Sequence, residues 1–226
     1  RRATITLTGS TTADLAGAAG FGAKVLGLMG GVLELHGQPG VMGWTRLSGG
    51  DVAAGARRIV VESATGWQPG DRIVIATSSP DMKQYDVAEI AVVSGNAVDL
   101  KQPLKYQHFG SPRQVGDRAI DVRAEVGLLN RNVVVQGDAD SEALKIGGHA
   151  MFMAGNAGAS VQISGVEFAR MGQFDQLGRY PLHFHLMAAG CKDCYIKDSS
   201  VRDSVQRGIV IHGTQGVAVT GNVVFN

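Results

Sequence analysis

The sequence predicts an all-β chain whose second half is a right-handed parallel β-helix, and three observations carry that expectation. Runs of β-branched and apolar residues are short, and Gly, Asn or Asp closes nearly every one, which is strand and turn chemistry rather than helical periodicity. Gly supplies 32 of the 226 residues, about twice the ordinary share, without the Gly-X-Y period of collagen. An imperfect repeat then runs through NVVVQGD (132–138), VQISGVEFARM (161–171), YIKDSSVRDS (195–204) and VAVTGNVVFN (217–226). Each copy reads as strand, a Gly, Ser or Asp corner, and a second short strand. Corners marked at Gly137, Gly165, Ser199 and Gly221 are 28, 34 and 22 residues apart. Such irregular periods suit stacked rungs whose connecting loops vary in length. An antiparallel sandwich would show evenly spaced hairpin turns, which are scarce.

Taken in order, strands are expected over Arg58–Glu62, Arg72–Ala76, Val87–Val93 and Asn132–Gln136, then Val161–Ser164, Leu182–Leu186, Gly208–His212 and Val217–Val219. Pro69-Gly70 gives a tight turn between the first two. The one helix expected is a short one near Asp51–Arg57, weakened by Gly55. Val161, Ile163, Val166 and Phe168 face inward, with Val217, Val219, Val223 and Phe225 on a rung below.

Composition excludes several function classes. Lys and Arg number 21 against 20 acids, a net charge of +1, so no basic patch points to nucleic acid or an anionic membrane. Aromatics make up 6 %, too few for a row of base-stacking rings. The most apolar stretch, residues 16–33, is interrupted by Lys24 and rich in Gly, and no stretch reaches the ~18 residues needed to span a bilayer. The chain opens at Arg1 without an initiator Met, which predicts a piece of a longer protein. Trp44 and Trp67 sit by turns and read as core or corner fillers. Cys191 and Cys194 form a CxxC in a loop, outside the strand-helix context of a redox motif. A local disulfide or two free thiols fits better than half a zinc site with His183 or His185.

Chemistry concentrates where four of the six His fall, between His149 and His212. Pro181-Leu182-His183-Phe184-His185-Leu186 alternates, so Leu182, Phe184 and Leu186 face one way and both His the other, about 6.5 Å apart. Gly208-Ile209-Val210-Ile211-His212 repeats that parity, and rungs stack ~4.8 Å apart, so His183, His185 and His212 form one outer patch that His149 extends. Neutral imidazoles so placed are candidate catalytic acids or bases. His149, His183 and His185 are also a candidate divalent-cation set, and with Arg179, Tyr180 and Arg207 the patch can hold an acidic sugar. The bland alternative, a polar surface beneath a loop, fits the spacing equally well. Glu167, Asp198 and Asp203 read as solvated surface acids.

The runs VRAEVGLLNRNVVVQGD (122–138), GGH (147–149), MGQ (171–173), LGRYPLHFHL (177–186) and SVQRGIVIHGTQGVAVTGNVVFN (204–226) closely resemble the CEMIP-type family. That family comprises the cell-migration-inducing hyaluronan-depolymerising protein, its transmembrane relative and the fibrocystin-like proteins. LELHG (33–37), Trp44-Thr45 and WQPGDRIVIAT (67–77) resemble the end of its eight-glycine domain and the β segment after it. The resemblance implies that residues 1–47 are part of an eight-glycine β domain, 48–126 a β-rich connection and 127–226 β-helix rungs. It also implies a secreted or cell-surface protein, a polysaccharide such as hyaluronan as partner, and a hyaluronidase-like glycosidase activity. The family's Tyr-Pro-x-His-Phe-His and x-His-Gly segments map onto Tyr180, Pro181, His183, Phe184, His185, His212 and Gly213. Relatives continue past the position of Asn226 with another His and an acidic pair, which predicts more of the same chain as the next partner. The CxxC and the shorter His185–Tyr195 loop depart from the animal members. Two classes of function therefore stand: a polysaccharide-degrading protein, and a non-catalytic glycan-binding, adhesive or structural β-helix. An acidic pair beside the His patch would favour the first, and its absence the second.

Overall fold

The structure is a computed structural model that describes residues 1–10, 20–156 and 158–226; residues 16–19 of the apolar stretch lie outside them. Strands in chain order are β1 (Ala3–Leu7), β2 (Val25–Met29), β3 (Gly31–His36), β4 (Trp44–Arg46), β5 (Arg58–Val60), β6 (Arg72–Ile75) and β7 (Asp86–Ser94). There follow β8 (Ala97–Leu100), β9 (Arg113–Val115), β10 (Arg118–Ile120), β11 (Glu125–Leu128) and β12 (Val133–Gly137). A single helical turn, α1 (Ser141–Leu144), precedes β13 (His149–Met153), β14 (Ala159–Ser164), β15 (Val166–Ala169), β16 (Leu182–Ala188), β17 (Tyr195–Lys197) and β18 (Ser200–Arg202). The last three are β19 (Ile209–Thr214), β20 (Ala218–Thr220) and β21 (Val223–Phe225). The all-β expectation holds, and the strands expected from Arg58 onward are found with ends moved by one or two residues.

Two compact units form, one from residues 1–39 with 131–226 and one from residues 40–130. In the first, three parallel sheets stack in the orders β1-β12-β15-β18-β21, β2-β13-β16-β19 and β3-β14-β17-β20. Each rung donates one strand to each sheet, which is the parallel β-helix. The compact units do not follow sequence order, because β2 and β3 pair residue for residue with β13 and β14 and so lie in the helix rather than ahead of it. Val161, Ile163, Val166, Phe168, Phe152 and Phe184 are fully buried inside it. Phe152 and Phe184 meet edge-on with ring centres 5.1 Å apart, a favourable aromatic geometry. Val219 is 42 % exposed, unlike its expected inward partners, because β20 is the outermost strand of its sheet.

Register corrects one corner. Val133 pairs with Val166, so Gly137 ends its strand rather than turning the rung as Gly165 does. At the Gly165 corner the chain passes so near Gly37 that a Cβ on Gly37 would sit 2.0 Å from the Gly165 carbonyl oxygen, leaving room for glycine alone.

The second unit is a six-stranded antiparallel sheet, β4-β11-β6-β7-β8-β5, with a β9–β10 hairpin. Leu47, Ile59, Ile73, Ile75, Ile90 and Trp67 form its core, and the Trp67 indole N–H donates to the Met42 carbonyl at 2.8 Å. The helix expected at Asp51–Arg57 is absent. Val52 exchanges both backbone hydrogen bonds with His108, and Gly55 N–H donates to Leu104, so that backbone is spent on bridging rather than on a helix. Among the described residues no helix is long and apolar enough to cross a membrane.

Candidate functional site

The site grows from the period-two alternation of β16. Leu182 and Phe184 are fully buried inside the rung, so His183 and His185 leave on the opposite face. On the next rung Ile209 pairs with Leu182 and His212 with His185, which sets the third imidazole beside the second. The alternation expected through Leu186 stops there. Leu186 and Ala188 take left-handed φ values of 48° and 46°, the register slips between His185 and Ala188, and Met187 enters the core while Leu186 is 61 % exposed. The bulge ends the ladder just after His185. Ile211, expected inside, is 40 % exposed because β19 is the outermost strand of its sheet.

His183, His185 and His212 are buried, half-buried and exposed in turn, and one ligand nitrogen from each lies within 4.8 Å of the others. His183 Nδ1 is 2.8 Å from the Gly178 carbonyl oxygen. A carbonyl only accepts, so Nδ1 carries the proton and Nε2 keeps its lone pair. That Nε2 is 3.4 Å from His185 Nδ1, which is 3.3 Å from His212 Nδ1. Burial pushes His183 below the usual histidine range, with the neighbouring imidazoles adding to the effect and the Gly178 carbonyl opposing it. Burial, then His212, does the same to His185. Both rings are therefore neutral at neutral pH.

The loop before β16 covers His183, which is why an outward residue is only 2 % exposed. Tyr180 packs edge-on against its ring at 5.0 Å. Arg207 donates from Nη1 to the Tyr180 hydroxyl at 3.0 Å, and its guanidinium carbon lies 5.6 Å from the Tyr180 ring centre. These residues border a groove of about 710 Å³ that Phe21, Met29, Met151, Met153 and Leu177 line as well, with Met151 in register beside His183 on the neighbouring strand. No Asp or Glu lines it among the described residues. The methionine lining was not legible in the sequence. Met29 and Met153 are placed together by pairing of β2 with β13, across a separation that leaves no local signal.

Two expected members of the patch lie elsewhere. His149 is fully buried, and neither ring nitrogen has a hydrogen-bond partner; the nearby Ala23 carbonyl is outside bonding geometry. Burial lowers it to about 4. It is not among the three His whose nitrogens converge. Arg179 donates to Gln173 Oε1 at 3.0 Å, and its guanidinium packs so closely on Gly22 that a Cβ there would be 2.5 Å away. It does not line the groove among the described residues.

The acids are not at the groove either. Glu167, expected to be solvated, is fully buried. Its carboxylate accepts from Arg202 Nε at 2.8 Å and from the Arg131 backbone N–H at 3.0 Å, partners that make its burial tolerable. Asp203 pairs with the same Arg202. Cys191 and Cys194 are joined as a disulfide within the helix core, which removes them as zinc ligands.

Residues 145–226 match the CEMIP beta-helix family and residues 1–48 the G8 domain. Both matches are consistent with the CEMIP-type, fibrocystin-like family. Two G8 domain-containing proteins of Dictyostelium discoideum are 36 % and 37 % identical to it, over 91 % and 96 % of this chain and 17 % and 14 % of theirs. Human fibrocystin-L is 29 % identical over 91 % of this chain and 6 % of its own length. The chain thus spans under a fifth of these relatives. A phage tailspike, gp61 of Pseudomonas phage phi297, superposes over 97 % of this chain and 36 % of its own with a TM-score of 0.35 and 14 % identity, a likeness too distant to build on.

Proposed function

We propose that the groove binds an acidic polysaccharide of the hyaluronan kind, as part of an extracellular or cell-surface protein. One observation carries this reading: Arg207, the Tyr180 hydroxyl and three imidazoles face the same groove, and no carboxylate lines it among the described residues. A polyanion entering there meets hydrogen-bond donors and one fixed positive charge without like-charge repulsion. The methionine and leucine side chains offer apolar surface to the C–H faces of sugar rings. The family matches point to the same ligand class, and a disulfide suits an oxidising compartment.

Cleavage of the bound chain would take place at the same patch. Most glycoside hydrolases use a pair of carboxylates, which this groove does not offer among the described residues, so proton transfer there falls to the imidazoles. The lack of that pair favours a non-catalytic, adhesive role, and size analysis separates the two. Hyaluronan and chondroitin are incubated with the wild-type protein and with folded His185→Ala. Shortening that disappears in the variant establishes a depolymerase; unchanged size with retained binding establishes an adhesive module. Binding itself is measured by calorimetry against hyaluronan oligosaccharides and a neutral glucan. Arg207→Ala is expected to weaken hyaluronan binding by roughly tenfold or more, the worth of one charge-assisted contact. Equal affinity for the neutral glucan, or an Arg207→Ala variant that binds like wild type, would refute the proposal.

A further inference from the structure

We propose that His183 Nε2, His185 Nδ1 and His212 Nδ1 are the three protein ligands of a zinc-type divalent ion, with a fourth position open to the groove. The inference deepens the reading above and rests on the same site, but its geometry stands independently of any sugar. The first support is orientation. A metal-bound imidazole characteristically gives its second ring N–H to a backbone carbonyl or carboxylate, and His183 does so to Gly178, leaving Nε2 aimed at the other two rings.

Spacing is the second support. Nitrogens ~2.0–2.1 Å from an ion at tetrahedral angles are about 3.3–3.4 Å apart. The two contacts made by His185 Nδ1 measure 3.4 and 3.3 Å. One ligand nitrogen of each ring lies within 4.8 Å of the others, and His212, the exposed member, can tighten the set by side-chain rotation.

Proton inventory is the third. His185 Nδ1 carries one in-plane proton or one lone pair, yet two neighbouring nitrogens converge on it. His183 Nε2, its proton already on the other nitrogen, can only accept. Either His185 Nδ1 donates to one of them and leaves the other contact unmade, or it accepts from His212 and turns its lone pair on that of His183. An ion would replace that arrangement with a full bond to each of three lone pairs.

The donor set also selects the ion. Three imidazoles converge with no carboxylate or thiolate among them, and methionines rather than acids border them. Calcium and magnesium require oxygen ligands, whereas imidazole suits zinc, copper and nickel. Three His with an open fourth position is the composition of catalytic rather than structural zinc sites. A bound ion of this type would supply a Lewis acid and an acidified water at the groove wall.

The test uses chelator-treated protein titrated with zinc and, separately, with calcium in the calorimeter, without polysaccharide. Cobalt(II), followed by visible absorption, reports coordination geometry. A single saturable zinc site, a tetrahedral cobalt spectrum and no calcium binding are expected. His212→Ala and His185→Ala should each weaken zinc at least about tenfold, while His36→Ala, on the sheet containing β3, leaves it unchanged. His212 is exposed, so its variant keeps the core intact, and circular dichroism confirms this. Absence of saturable zinc binding, wild-type zinc affinity in His212→Ala, or preference for calcium would each overturn the proposal. Hyaluronan binding by the metal-free protein is measured in parallel. Its retention alongside a failed zinc titration sinks the metal site and leaves the polysaccharide reading standing.

Discussion

His149 and His183 sit on the same face of neighbouring strands and meet burial differently. His183 gives its proton to Gly178, whereas neither nitrogen of His149 has a partner. A buried polar group without a partner costs stability, and an apolar replacement of similar shape removes that cost. His149→Phe is therefore expected to be as stable as wild type or more so at pH 7, measured by urea denaturation. A loss above about 2 kcal/mol would show that the ring makes a bond that matters. Acid should separate the two proteins further. Burial lowers His149 to about 4 from 6.5, so between those values the unfolded chain binds more protons than the folded one. The contribution of neutral His149 is thus complete above pH 6.5 and lost as pH falls towards 4, on the order of 3 kcal/mol in all. The lowered His183 and His185 act in the same direction. In His149→Phe the acid slope between pH 6.5 and 4 should be visibly shallower; an identical slope would contradict the assignment.

Element by element, the rung core depends on a few large side chains. Phe184 is fully buried and packs edge-on with Phe152, so Phe184→Ala should cost ~3–5 kcal/mol of unfolding free energy. Lys24 ties the start of β2 to the turn after β12. Its ammonium donates to Asp138 at 2.8 Å, Ser141 Oγ at 3.0 Å and the Ile146 carbonyl at 2.8 Å. Lys24→Ala leaves the Asp138 carboxylate with the Ser141 hydroxyl and the Gly9 N–H and should cost about 1–3 kcal/mol, read by thermal melting. Parity on β16 was legible up to His185 because burial of one face fixes a period-two pattern. The bulge that follows was not, since it needs left-handed Leu186 and Ala188, which side-chain sterics disfavour and only tertiary packing imposes. The missing helix at Asp51–Arg57 has the same origin: its backbone groups are claimed by residues some fifty positions away. Burial of Glu167 was hidden likewise, because its partner Arg202 arrives from another rung.

At the scale of the whole molecule, the sequence order of β3, the second unit and β12 conceals that β2 and β3 belong to the β-helix. Parallel pairing at separations above a hundred residues leaves no local trace, so the repeat was readable only from residue 132 onward, where rungs follow one another directly. The inserted unit has a core made from its own residues. Residues 40–130 expressed alone should give a cooperative melt, and a broad, non-cooperative transition would show that its core depends on the rest of the chain. The functional account rests on one place in the other unit, the groove where Arg207 and Tyr180 meet His185 and His212. A crystal structure of the protein with a short hyaluronan oligosaccharide tests it most directly. The account predicts a uronate carboxylate within hydrogen-bonding reach of the Arg207 guanidinium and sugar rings against Met29 and Leu177. Sugar bound on another face, or a groove left empty at saturating oligosaccharide, would contradict it.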